Sequence, residues 1–416
     1  MIMKRLLKVL LAFVLCFSIV EYRPIYANDG IEVQALTSSG EIMMELSDRF
    51  REALLSGETR VNVEDLELSK TTYPWIRDSR MFPYFNGSIY ANLYSNGDIA
   101  REYMISTTLS QSEIVQHVKL VDEVVADVAE KVSVAKNDLQ VALIVHDYLA
   151  SQFAYYEENY NNNSIPDSSY TTGVMLSTGV GVCQAYAFAY QYFMLRYDID
   201  CYVTTSRSMD HAWNIIKLNN KYYHVDVTWD DPVSDSLGYA RHNHFLLSDS
   251  AIKTIRGNGT NNHYGWDRTD LVCNDTTYDN YWWYGVNSPI EVYGNYYYYM
   301  DSANYRVAKR HYTSGSVTTV ASTGKWPASS GGNWVGVFGS LFIENGYLYY
   351  NTATNIYMYN LSNNKNSSIL NINTSNGYFY GLQFKWENLI MKFEKMQMMM
   401  ENFILHPCNF LKILLL

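Results

Sequence analysis

Apolar residues recur along the chain at two periods, and the changes of period divide it. Four stretches have helical spacing. Leu46 to Leu55 reads as a short helix stopped at Gly57. Ser110-Gln111-Ser112-Glu113 is a capping-box pattern, and Ile114, Val118, Val121, Val125 and Val128 then share a face to about Val132. Asn137-Asp138 opens a third helix with Val141, Ile144, Val145 and Tyr148 on its inner stripe. The run Cys183 to Tyr197 contains neither glycine nor proline and follows Gly179-Val180-Gly181. It predicts a helix with Cys183 in the first turn.

Elsewhere the period is two. Ser88–Tyr94 and Ile99–Ser106 flank Ser95-Asn96-Gly97, a hairpin signal. His211–Leu218 and Lys221–Trp229 alternate around Asn219-Asn220, and asparagine tolerates the positive φ that a two-residue turn needs. That turn pairs Leu218 with Lys221, sets Trp213 opposite Asp226 and His211 opposite Thr228, and makes His211 and Asp226 diagonal neighbours on one face. A slip of one residue would send Asp226 to the other face. His242–Asp249 reads as a further strand with His242 and His244 on one side, which is a core feature rather than a metal pair. The segments around Tyr73-Pro74-Trp75, Met81–Phe85 and Glu157–Ser169 read as loops, the last as one rim of a cleft. Beyond Asn287 the texture is all-β: Gly294–Tyr299 and Asn345–Tyr350 align across 51 residues (294 to 345), and Gly377–Tyr380 resembles a third start. Aromatic strand, polar turn and second strand suggest a partial, propeller-like array.

Composition changes this picture in two places. The 416 residues carry a net charge of −11 with no basic stripe, which excludes a nucleic-acid footprint. Lys4, Arg5 and Lys8 flank an apolar run from Leu6 to Val20, and Ala27 offers a small residue for cleavage, so residues 1–27 are expected to be a secretory signal peptide and the protein to be secreted or at the cell surface. No integral membrane span is expected after cleavage. The last 32 residues, 385–416, lack Gly, Tyr, Ser, Thr and Asp and cluster Met396, Met398, Met399 and Met400, the texture of a truncated or out-of-frame tail. The expected organisation is a signal peptide (1–27), an α+β region (28–108), a catalytic domain (109–270), β-repeats (286–384) and this tail.

Chemistry gathers between Gly179 and Pro232. A thiol in a first helical turn faces unpaired N–H groups and the positive end of the helix dipole, which favour a thiolate. His211 and Asp226, if the hairpin register holds, form a base and the carboxylate that orients it. With Cys183 these make a candidate catalytic set. His146, on a helix face, reads as a packed or half-exposed side chain rather than a catalytic one. Asp230, Asp231 and Asp235 lack calcium-loop spacing and read as a solvated loop. The cysteines left after signal cleavage, Cys183, Cys201, Cys273 and Cys408, show no zinc spacing, and no metal or cofactor is expected; a Cys201–Cys273 disulfide is conceivable but has no support in the sequence.

The motifs Gly179-Val180-Gly181-Val182-Cys183-Gln184-Ala185-Tyr186-Ala187, His211-Ala212-Trp213-Asn214 and Tyr222-Tyr223-His224-Val225-Asp226-Val227-Thr228-Trp229-Asp230-Asp231-Pro232 resemble the transglutaminase-like superfamily over roughly residues 110–250. The resemblance implies an α+β, papain-like core, a helix-borne cysteine packed on an antiparallel sheet, with Cys183, His211 and Asp226 as its catalytic triad. It implies thiol acyl transfer on protein or peptide amides; hydrolysis is favoured over cross-linking because water is the more abundant acceptor, and the rival is a catalytically silent surface-binding protein. Trp213 and Trp229 are expected to pack the site and bind substrate; the aromatics of the β-repeats are read first as filling blade cores, with binding of cell-envelope material as the alternative. The Cys183 backbone N–H would supply one oxyanion donor; relatives use an upstream Trp or Gln for the second, and no position here aligns with it.

Overall fold

The computed structural model describes residues 38–69, 79–93, 100–156, 165–231, 238–254, 262–328, 331–372, 377–385, 388–394 and 400–405. The expected signal peptide, the Tyr73–Trp75 segment, the Ser95-Asn96-Gly97 turn, Asp235 and most of the Asn-rich rim lie outside the described residues.

Helix α1 (Ser39–Ser56) starts about two turns earlier than its apolar spacing suggests, because Ser38 and Glu41 form a reciprocal capping box. It ends at Gly57, where a φ of 75° suits glycine. Strands β1 (Arg60–Asn62), β2 (Gly87–Leu93) and β3 (Ala100–Thr107) make a three-stranded antiparallel sheet with β3 in the centre. Phe50 of α1 meets Phe82, Phe85 and Tyr103 edge-on at 4.9 to 5.2 Å, the geometry that aromatic quadrupoles prefer.

Helix α2 (Gln111–Val132) is capped by Ser110 and Glu113, and α3 (Asp138–Gln152) by Asn137, as their sequences predict. A parallel pair, β4 (Ala154–Tyr155) and β5 (Val180–Gly181), brackets α4 (Thr172–Thr178) and leads into α5 (Cys183–Arg196). Gly173 in α4 lies against backbone: a Cβ there would come within 2.2 Å of the Phe85 carbonyl oxygen and 2.7 Å of that of Pro83.

Helix α5 is buried along nearly its whole length and lies on a four-stranded antiparallel sheet of order β6 (Cys201–Ser206), β7 (His211–Leu218), β8 (Lys221–Val225), β9 (Phe245–Leu247). Two side chains fix helix to sheet. Asn214 of β7 donates its Nδ2–H to the Ala187 carbonyl at 2.9 Å, and Gln191 donates to the Cys201 carbonyl at 2.8 Å. Both amides are buried, where an unmade bond would cost about 1–3 kcal/mol. The helix bearing Cys183 is thus registered against the strand bearing His211.

The hairpin register holds from Asn214–Val225 to Leu218–Lys221, and Asn219 and Asn220 both take positive φ (51° and 60°). The strand stops sooner than expected. β8 ends at Val225, and Asp226 becomes the N-cap of a helical turn, Val227–Asp230. The strand expected over 242–249 is also shorter, since only Phe245–Leu247 pairs and Asp249 begins another helical turn, Asp249–Ile252. Cys183, Cys201 and Cys273 are free, so the Cys201–Cys273 bridge is not formed.

Two four-stranded antiparallel meanders follow: β10 (Glu291–Tyr293), β11 (Tyr296–Asp301), β12 (Arg306–His311), β13 (Val317–Ser322), then β14 (Leu341–Glu344), β15 (Tyr347–Asn351), β16 (Asn355–Asn360), β17 (Lys365–Asn371). The 51-residue repeat therefore falls on equivalent strands, and each meander has a register shift in its third strand, at Val307/Ala308 and Ile356/Tyr357. Tyr298, Trp326, Leu348 and Tyr350 belong to one apolar core that both meanders share. Strands β18 (Tyr378–Lys385), β19 (Asn388–Glu394) and β20 (Met400–Leu405), the last two within 385–416, form a third antiparallel sheet. The sheets pack on the helical core through Gln383, which donates to the Ser151 carbonyl at 2.6 Å, and Gln140, which donates to the Tyr297 hydroxyl at 3.3 Å. Among the described residues no helix is long and apolar enough to cross a membrane.

Candidate active site

Cys183 is the first residue of α5, after Val182 as an N-cap with no side-chain bond. The N–H groups of a first turn have no acceptor within the helix. That of Ala185 turns back to the Val182 carbonyl at 2.9 Å, which leaves those of Cys183 and Gln184 to face the sulfur or an oxygen bound near it. Cys183 and Gln184 are half-buried, unlike the buried stretch from Ala185 to Leu195 that follows.

His211 opens β7 and is 9% exposed, while Asp226 is 0% exposed. Nε2 of His211 lies 2.7 Å from Oδ2 of Asp226, so it carries the proton and donates it, leaving Nδ1 as the other ring nitrogen. Burial disfavours the charged imidazole, but the Asp226 carboxylate and the Cys183 sulfur outweigh it and raise the His211 pKa to about 10. Asp226 feels the same balance in reverse. Burial alone would raise it, and His211 and a second histidine hold it well below the usual carboxylate range. Its Oδ1 accepts the Trp229 backbone N–H at 3.2 Å, the N-cap bond of the following turn. Asp226 reaches His211 through this cap and not through the ladder pairing that the alternation suggests.

That second histidine, His263, was not legible in the sequence. Its Nε2 lies 2.7 Å from the same Oδ2 of Asp226, 37 positions away, and the ring is 0% exposed. Burial and the neighbouring His211 hold its pKa down to about 4, against the pull of Asp226. The only local signal is the Asn262-His263-Tyr264-Gly265-Trp266 string, which matches no motif.

The two tryptophans part ways. Trp213 is 1% exposed and donates its Nε1–H to Nδ1 of His224 at 3.0 Å, so it packs behind His211 instead of lining a substrate cleft. Trp229 remains partly exposed and stacks on His211 with ring centroids 5.0 Å apart.

Asp230 and Asp231 are buried, which overturns their reading as a solvated loop. Asp230 accepts the backbone N–H groups of Asn243 and His244 and faces Nε2 of His146 at 3.2 Å. The opposite nitrogen of His146 lies 2.8 Å from Asp147, which also meets Nε2 of His242 at 2.9 Å. A ring with a carboxylate at each nitrogen is held as the imidazolium. Burial opposes this, but Asp147 and Asp230 prevail and raise His146 to about 9. His146, His242 and His244 are thus core residues, as expected, although in an ionic network rather than an apolar one. The network ties α3 to the turn that follows Asp226.

Among the described residues, three groups bring the donor types of a cation site within 4.8 Å of one another: His146, Asp147 and His242; His211, Asp226 and His263; and His224, Asp249 and Cys273. In the first two, each ring nitrogen facing the carboxylate is already hydrogen-bonded to it. In the third, His224 bonds Asp249 at 2.9 Å and burial pushes the Cys273 thiol up, which disfavours the thiolate that a metal would need.

No curated protein matches the chain. Among solved structures, a crystal structure of a TGase overlaps 35% of this chain and 46% of its own length, at 10% identity and a TM-score of 0.25. A structure described as a cysteine-protease candidate from Cytophaga hutchinsonii overlaps 36% of this chain and 64% of its own, at 12% identity and a TM-score of 0.22. The chain spans less than two thirds of either. The match that carries weight is to the family model described as the transglutaminase-like superfamily, over residues 126–227, the segment containing α3, α5, Cys183, His211 and Asp226. Residues 126–227 are thus similar to the transglutaminase-like superfamily.

Proposed function

We propose that the protein is a thiol acyl-transfer enzyme acting on protein or peptide amides, with Cys183 as nucleophile, His211 as general base and acid, and Asp226 as the orienting carboxylate. The observation that carries this reading is the 2.7 Å bond from His211 Nε2 to the buried Asp226, with the Cys183 sulfur among the groups that raise the imidazole. In the first step the thiol proton passes to Nδ1 of His211, and the thiolate attacks the amide carbonyl carbon. The developing oxyanion is met by the Cys183 backbone N–H at the positive end of α5. The imidazolium returns its proton to the leaving amine, the C–N bond breaks, and a thioester remains on Cys183. Water, losing a proton to His211, then releases the carboxylic acid and the thiol. Hydrolysis is the favoured outcome because water is the abundant acceptor; an amine entering instead would give a cross-link.

Trp229, stacked on His211 and partly exposed, is the aromatic best placed to meet substrate. The two meanders at 291–371 support reading the C-terminal sheets as propeller-like repeat units, with Tyr297, Tyr298, Tyr299, Tyr350 and Tyr359 buried as core filling. Secretion rests on the sequence of residues 1–27 alone.

The test pairs casein with a fluorescent primary amine, comparing the wild type with Cys183→Ala. Casein fragments without labelled casein identify a hydrolase, and labelled casein a cross-linking enzyme. Either activity must vanish in Cys183→Ala, and its survival would discard the mechanism.

A further inference from the structure

Two histidines share one oxygen of Asp226, and acyl transfer uses only one of them. His263 is held on several sides. Its backbone N–H donates to the Ile252 carbonyl at 3.0 Å. Its ring sits against Trp229 (centroids 4.0 Å) and the edge of Trp213 (4.7 Å). The single polar contact of the ring is Nε2 to Asp226 Oδ2, because among the described residues its buried Nδ1 has no hydrogen-bond partner. A buried, unpartnered ring nitrogen is a cost that an apolar side chain in the same slot would avoid. The gain that offsets it lies at the other nitrogen.

We propose that His263 is a positioning residue: its Nε2–H occupies the second acceptor site of Asp226 Oδ2 and keeps the carboxylate turned toward His211. The inference rests on the acyl-transfer reading of Cys183, His211 and Asp226. Oδ1 is fixed by the Trp229 N–H, and Oδ2 by two ring N–H groups at 2.7 Å each. With three donors the carboxylate has one orientation. Removing His263 leaves Oδ2 with the base alone, so carboxylate and imidazole can turn together away from the sulfur. The neutral state of His263 fits the role, since a second imidazolium here would compete with the charge on His211.

The readout is the rate at which iodoacetamide alkylates Cys183 in the full chain at pH 6, followed by peptide mass spectrometry. His263→Leu keeps the bulk and removes the donor; His263→Gln keeps a donor near the position of Nε2. We expect His263→Leu to slow alkylation about 10- to 100-fold, the range in which lost outer partners weaken a site, and His263→Gln to recover most of the wild-type rate. An unchanged His263→Leu, or equal slowing by both variants, refutes the positioning role. A measurement on the wild type covers the case in which His263→Leu does not fold: histidine-selective 15N NMR must place the His263 proton on Nε2, and a proton on Nδ1 overturns the proposal. A wild-type Cys183 no more reactive than a free thiol would instead sink the acyl-transfer reading itself, with this inference following.

Discussion

Replacing Asp226 by asparagine keeps the shape of the side chain and removes its charge, which isolates the electrostatic part of the site. In the native protein His211 has a pKa of about 10 although it is nearly buried. Burial opposes its charge, so the elevation comes from Asp226 and the sulfur. Without the carboxylate, the ring returns to or below its ordinary value near 6.5. A fall from about 10 to about 6.5 is about 5 kcal/mol of lost preference for the imidazolium. The same imidazolium is what stabilises a thiolate on Cys183. The amide also presents either an N–H or a single carbonyl to two ring N–H groups, which disturbs the tautomer that leaves Nδ1 toward the sulfur. The expected result is a 100- to 1,000-fold slower alkylation of Cys183 at pH 6, within the range that base catalysis contributes. Wild-type-like reactivity of Asp226→Asn at pH 6, in a protein that melts normally, would refute the claim that Asp226 acts on the sulfur through His211.

Other consequences concern stability. Asp230→Asn removes one of the two carboxylates that hold the buried His146 imidazolium, and should cost about 3 kcal/mol in urea unfolding. His146 is raised from its ordinary value to about 9, so its contribution is complete below about 6.5 and is lost as pH rises through about 9. Native stability should therefore decline between pH 7 and 9, and this part of the slope should be reduced in Asp230→Asn; an identical slope in both proteins counts against the ionic network. Gly173→Ala forces a Cβ onto two backbone carbonyls at 2.2 and 2.7 Å that cannot swing away. It should lower the melting temperature by several degrees, corresponding to about 1–3 kcal/mol of overpacking, and an unchanged melting temperature would show that the Phe85 segment yields.

Local chemistry was legible in the sequence wherever neighbours along the chain decide the outcome. The Ser110/Glu113 box and the Asn137 cap start their helices because cap and capped N–H lie three residues apart. The pair Asn219-Asn220 fixes the hairpin turn, and with it the ladder from Leu218–Lys221 onward, because a two-residue turn admits one register. Cys183 begins its helix because glycines precede it and good helix formers follow. What the sequence left open depends on residues far apart with no period between them. Alternation carried β8 through to Trp229, but the Asp226 carboxylate caps a helical turn, because that position satisfies the Trp229 N–H and two imidazoles at once. Asp230 looked solvated until the fold brought His146, 84 positions away, against it. His263 lies outside every motif. Only the tertiary structure could choose these partners, since a buried carboxylate is stable only with several donors around it, and the packing of α3, β7 and the segment after Ile252 supplies them.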